Sequence, residues 1–319
     1  MFKNKIDNYI FYLVFILPFI LAYMIIFILS MGTALDRFDY LRLMDINIET
    51  RVEPLLPLVS YFFNFVITDS YIKLTAIQFS FLFLLLISFY NYFKPNNIIL
   101  LSKVFLALLL CLIVFSNPLG IQLRMGYATI IFIYIISSMK KPYLFLFIPV
   151  LMHYGLIFSV LFFIYFYILK IDSKRKFLIN SIFILIILTI FFINIGSVFS
   201  FLGVSAYYHN YLNEELDFGR AIPYSVIMYI LICCCILFFV KSKENIFHWF
   251  SISGLWLVYV GFFLDFYLAF KMLVPISMFS IIYLVKNLPN SSNPYFYMIL
   301  SYIIAPIAFF YFSLQVDIF

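Results

Sequence analysis

The chain has 319 residues, 66% of them hydrophobic and 11% charged, with a formal net charge of +6. Soluble globular domains run nearer about 45–50% apolar and about 25% charged, so a water-soluble enzyme of this size is excluded. The nine glycines form neither GxGxxG nor GxxxxGK[ST], which disfavours a Rossmann unit and a Walker ATPase. The basic residues lie scattered between apolar runs and form no patch, which argues against a nucleic-acid partner.

Lys3 and Lys5 precede an apolar run at 9–31. That run is too long for a signal-peptide core and lacks a small-residue cleavage site, so it reads as an uncleaved anchor. The first predicted extracytoplasmic loop covers 32–71 and carries A-L-D-R-F-D-Y-L-R followed by R-V-E-P-L-L-P-L. Its second half, 55–67, is apolar enough to lie on the membrane or dip into it. Further spans are predicted at 72–93, 98–116, 119–138, 177–200, 222–240, 247–264, 272–286 and 295–314. A second, shorter outer loop at Ser116–Arg124 reads S-N-P-L-G-I-Q-L-R, and a larger one at 203–221 is rich in Tyr and Asn. Both residue types suit sugar binding, although Tyr is also enriched at membrane interfaces.

The stretch from Pro142 to Leu169 breaks the pattern. As one helix it would measure about 42 Å against a hydrocarbon core of about 30 Å. A single crossing would also put Lys140-Lys141 and the cluster Lys170, Lys174, Arg175, Lys176 on opposite faces. Short basic loops belong in the cytoplasm, so two short helices are predicted to meet near Met152-His153-Tyr154-Gly155 as a broken hairpin. The result is one all-α, polytopic integral membrane domain over 1–319 with about 10–11 transmembrane helices.

This topology puts 12 of the 14 lysines inside and five of the six arginines outside, namely Arg37, Arg42, Arg51, Arg124 and Arg220. Topology needs positive charge inside and is indifferent to Lys versus Arg. Arginine kept against that bias points to two-point recognition of phosphate or carboxylate, or else to pairing with Asp36, Asp39, Asp45, Glu49 and Glu53. Arg124, His153, Asp265 and Lys271 sit at outer ends of apolar runs, where snorkelling lowers their cost. His209 and His248 read as ordinary residues of a loop and of an inner helix start. Asp36 and Asp39 give only a weak metal signal. The four cysteines, Cys111 and Cys233–Cys235, lie inside apolar runs without metal-ligand spacing. No metal or cofactor is expected.

The run from Arg124 to Ile157, R-M-G-Y-A-T-I-I-F-I-Y-I-I-S-S-M-K-K-P-Y-L-F-L-F-I-P-V-L-M-H-Y-G-L-I, resembles the EpsG family, which belongs with the Wzy-type O-antigen and capsule polymerases. The shared pattern is an Arg opening a helix, a basic turn, a short apolar helix, and a His followed by a small residue. Asp39-Tyr40 and Glu53-Pro54-Leu55-Leu56 resemble the family's Asp-Tyr and Glu-Pro-Gly-aromatic elements, with Leu55 where the family has glycine. Lys271 is similar in place to a family Arg. The resemblance implies a GT-C-like membrane glycosyltransferase of the bacterial inner membrane, N-terminus cytoplasmic. It would transfer a growing glycan from undecaprenyl diphosphate to an acceptor repeat unit at the outer face. Its partners would be lipid-linked oligosaccharide, membrane lipids, and a chain-length regulator and flippase of the same pathway. By the same resemblance His153, Arg124, Glu53 and Asp39 are the candidate catalytic residues. Arg37, Arg42, Arg51, Tyr40, Arg220 and Lys271 are the candidate substrate-binding ones. The rival readings are a flippase, which usually carries internal repeats that this chain lacks, and a membrane acyltransferase, which would leave the outer arginines unexplained.

Overall fold

The computed structural model describes residues 11–30, 40–41, 55–115, 119, 122–194, 224–240, 245–263, 268–291, 293 and 295–315. Among these residues every regular element is a helix and none is a strand. In a bilayer each backbone N–H and C=O must find its partner within the chain, and a helix achieves this locally. A π-helical turn at Tyr12–Ile16 leads into α1 (Leu17–Leu29), followed by α2 (Leu55–Asn64), α3 (Ser70–Phe93), α4 (Ile98–Val114), α5 (Leu123–Ser138) and α6 (Phe147–Met152). Then come α7 (Ile157–Ile168), α8 (Lys174–Ile193), α9 (Tyr224–Phe239), α10 (Ile246–Ser253) and α11 (Leu255–Phe263). The last are α12 (Leu268–Met272), α13 (Val274–Asn287) and α14 (Phe296–Gln315). Side-chain caps mark several starts: Asp69 accepts the Ile72 N–H at 2.8 Å before α3, and Asn97 accepts the Leu100 N–H at 3.0 Å before α4.

Five segments among the described residues are long and apolar enough to cross a membrane: Ser70–Phe93, Lys174–Ile193, Ile246–Phe263, Ala269–Asn287 and Phe296–Leu314. Their outward faces are as apolar as their inward ones. α8 exposes Leu178, Ile179, Ile182, Phe183, Ile186 and Ile190, and α14 exposes Ile299, Tyr302, Ile303, Ile307 and Phe310. Surfaces of that extent belong against lipid. The protein is an all-α, multi-pass membrane protein.

The chain forms two compact units, residues 1–156 with 285–319 and residues 157–284. In the first, α4 packs along α14, α3 packs along α5, and α1 lies against both α3 and α14. The Phe81 and Tyr127 rings stack with centroids 4.0 Å apart, and Asn91 Nδ2 donates to Ser138 Oγ at 2.9 Å. α3 and α5 therefore run parallel and start at the same end. After Ser138 the chain turns back along α5 through Pro142–Leu144 and α6. The opposite end of this unit collects lysines. Lys103 Nζ donates to the Leu288 carbonyl at 2.6 Å and to Asn290 Oδ1 at 3.1 Å, and Lys286 Nζ donates to the Tyr92 carbonyl at 2.6 Å.

The second unit is built on aromatic packing. Phe177 stacks on both Trp249 and Trp256 with centroids 5.0 and 5.6 Å away, and Phe163 and Phe166 meet Phe250 edge-on. The span expected at 247–264 is present as Ile246–Phe263, with a turn at Gly254 dividing it into α10 and α11. Beside that turn, side chains from elsewhere in the chain take up a backbone carbonyl: Tyr229 Oη and Ser280 Oγ both donate to the Ser251 carbonyl, at 2.8 and 2.7 Å. A Cβ at residue 254 would come within 2.6 Å of Tyr229 Oη and 2.5 Å of Leu273 Cδ1.

Candidate functional site

The structure describes Tyr40, Arg124, His153 and Lys271 among the predicted site residues. Asp39, Glu53, Arg37, Arg42, Arg51 and Arg220 lie outside the described residues, as does the 203–221 loop. Lys271 belongs to the second unit, half-buried near the end of α12. The other three come together in the first.

Arg124 is the second residue of α5. The residue before the helix, Gln122, offers no side-chain cap, which leaves the first-turn amides to other partners. The Arg124 N–H finds Tyr40 Oη, 3.4 Å away, and the Tyr40 side chain is buried. Arg124 thus stands where the positive pole of α5 already lies, with its Nε buried. A cation there opposes the helix dipole, and both features favour an anion at the same spot.

His153 ends α6. Its N–H still bonds the Pro149 carbonyl at 3.0 Å, but its backbone is extended (φ −157°, ψ 117°) and the helix stops there. A 3-10 turn at Tyr154–Leu156 follows. The predicted interruption near residues 152–155 therefore falls at His153 itself. The Gly155 N–H donates to His153 Nδ1 at 2.9 Å. A ring nitrogen that accepts an N–H carries no proton, so the neutral imidazole holds its hydrogen on Nε2. His153 in this geometry is a hydrogen-bond donor. A glycine is needed at 155 because an added Cβ would lie 2.9 Å from His153 Cε1 and Nδ1 and 3.1 Å from Met125 Cε.

Met125, the next residue after Arg124, therefore packs at the His153–Gly155 turn. That places the turn at the start of α5 and Lys140 at its end. α2, the helix that begins two residues after Glu53, packs against α6 and α3. Residues from three segments of the first unit thus meet near the start of α5, and among them are a helix N-terminus, an arginine and a histidine whose Nδ1 is already used. Such a set suits an oxyanion carrying several oxygens.

Sequence reading missed the wedge at Met125 and the role of the Gly155 amide. An apolar residue in an apolar helix carries no signal, and a backbone group carries none in any sequence. His248 falls in the first turn of α10, at the helix start where it was expected. That side chain is fully buried in α10, its ring beside Trp249 and its Nδ1 3.4 Å from Tyr283 Oη. No group of three or more His, Cys, Asp or Glu side chains suited to a metal occurs among the described residues. The chain matches no family model, no curated protein and no solved structure.

Proposed function

We propose that the chain is a polymerase of lipid-linked oligosaccharide repeat units, a GT-C-like glycosyltransferase with about 10–11 spans in a bacterial inner membrane, N-terminus cytoplasmic. The acceptor hydroxyl of one repeat unit attacks the anomeric carbon of the growing glycan. The bond from that carbon to the diphosphate oxygen breaks, a glycosidic bond forms, and undecaprenyl diphosphate leaves. The hydroxyl proton passes to a carboxylate.

The observation that carries this reading is the juxtaposition of Tyr40, Arg124 and the His153–Gly155 turn at the start of α5. Those elements are far apart in sequence, and each belongs to the pattern that resembles the EpsG family. A diphosphate leaving group gains negative charge as the bond breaks. Arginine in a two-point grip, the α5 amides and a neutral imidazole N–H each stabilise that charge without a metal. With Nδ1 occupied by the Gly155 N–H, the His153 ring is set to donate, so the base falls to Glu53 or Asp39. Arg37, Arg42, Arg51, Arg220 and Lys271 are the proposed contacts to the remaining phosphates and sugars.

Deleting the gene in its native host tests the reading. Single repeat units should persist on the lipid carrier or on the core, while the long-chain ladder on a gel of surface glycan disappears. Loss of every repeat unit from the outer surface would assign the chain to transport of the lipid-linked sugar instead.

A further inference from the structure

We infer that Gln78, with Tyr23 and Tyr127, is a positioning residue that fixes where Arg124 stands; the inference rests on Arg124 gripping the leaving diphosphate. Gln78 is an amide in the middle of the apolar run of α3 and is 3% exposed. A buried amide is costly unless its donors and acceptor are used, and here they are. Its Nε2 donates to Tyr23 Oη and, at 3.1 Å, to the Leu119 carbonyl. Its Oε1 accepts from Tyr127 Oη at 2.6 Å. Tyr23 Oη passes its own hydrogen to the Leu119 carbonyl at 2.7 Å, so that one oxygen accepts two bonds.

The arrangement has a direction. Leu119 lies five residues before Arg124 and Tyr127 three after it. One amide on α3 therefore holds the chain on both sides of the arginine. Tyr127 is held twice, because its ring also stacks on Phe81 from the same helix. Tyr23 is braced from behind by Phe312, stacked at 5.1 Å. Apolar side chains of similar volume would fill this space and hold the helices together with little loss of stability. What they would not do is fix the height of the α5 entry turn relative to α3, since apolar contacts tolerate sliding and a closed set of hydrogen bonds does not. A two-point grip on a diphosphate needs its guanidinium held to within a fraction of an ångström.

The test uses the full chain in its native membrane with Gln78→Met, which keeps the volume and removes the three bonds that Gln78 makes, leaving only Tyr23 on the Leu119 carbonyl. Tyr127→Phe and Tyr23→Phe each remove one hydroxyl and keep its ring stack. Three readouts are taken: membrane abundance, the surface-glycan ladder, and the rate at which a thiol reagent labels Gln122→Cys in purified protein, over the background of the native cysteines. Gln78→Met should leave abundance near normal, raise labelling at 122 severalfold, and cut polymer on the order of 100-fold, the usual penalty for an ångström of misplacement. The two Phe variants should shift both readouts in the same direction by less. If Gln78→Met does not accumulate, the Phe variants carry the test. Unchanged labelling at 122 overturns the inference. So does faster labelling with a normal ladder in a strain where gene deletion abolishes that ladder. Should deletion leave the ladder intact, the polymerase reading fails, and labelling alone decides whether Gln78 holds the turn.

Discussion

Gly155→Ala tests the geometry of the His153 turn most directly. The new Cβ would sit 2.9 Å from two atoms of the imidazole and 3.1 Å from Met125 Cε. Ordinary carbon contacts begin near about 3.5 Å, so roughly 0.6 Å of relief is needed on the ring side. The Met125 methyl ends a flexible chain and gives way at little cost. The imidazole does not: moving it surrenders the 2.9 Å bond from the Gly155 N–H, about 1 kcal/mol, on top of local strain. Overpacking of this kind costs about 1–3 kcal/mol in total. The change is too small to abolish folding, and it falls on the one ring whose orientation the proposed chemistry uses. Gly155→Ala should therefore lower the melting temperature of the detergent-solubilised protein by a few degrees and shorten the surface-glycan ladder drastically at near-normal membrane abundance. In a His153→Ala background the ring is gone and the same substitution should cost little, a coupling that a double-mutant cycle reads. Gly155→Ala with a wild-type melting curve and a wild-type ladder would refute the packing of ring, glycine and methionine.

Arg124→Lys should cut polymerisation substantially and Arg124→Ala should abolish it, with the protein still accumulating, because lysine keeps the charge and loses the fork; His209→Ala should be nearly silent in the same gels. A cysteine at position 153 should react with an impermeant thiol reagent applied from outside, whereas one at 140 or 174 should not. Labelling at 174 would remove the charge argument for a broken segment. Gly261→Ala, whose Cβ would collide with the Phe270 ring in the second unit, should reduce membrane abundance through overpacking and shorten no chains selectively among the molecules that fold.

The sequence made the helices legible wherever an apolar run ended at a residue with its own reason to stop. Asp69 and Asn97 cap the starts of α3 and α4 by hydrogen bonds local to the chain. The interruption at His153 was legible for a different reason, since charge on either side of it could not be satisfied by one crossing. The break at Gly254 was not, because it depends on Tyr229, Leu273 and Ser280, which are remote in sequence and carry no mark of meeting there. At the candidate site the individual residues were readable and their assembly was not. Nothing in the spacing from Tyr40 to Arg124 shows that a phenol oxygen reaches the second amide of α5. Gln78 did carry a signal that went unread: an amide in the middle of an apolar span has to find partners on other helices.

The uneven use of lysine and arginine acquires a local cause in the first unit. Lys286 donates to the Tyr92 carbonyl in the last turn of α3, and its ammonium lies 4.2 Å from the Tyr92 ring centroid. Lys103, almost wholly buried, donates to the Leu288 carbonyl just beyond α13 and sits 5.2 Å from the Tyr297 ring centroid. Both lysines meet carbonyls at or just past a helix C-terminus, where a cation is stabilised by the dipole and by the orphan oxygens. A flexible point charge with three donors does that work well. Arg124 occupies the reverse position, at a helix start whose amides already present positive charge. Neither dipole nor orphan carbonyls favour it there. In the proposed reaction a diphosphate would meet the guanidinium and the first turn of α5 together, with oxygens enough for both.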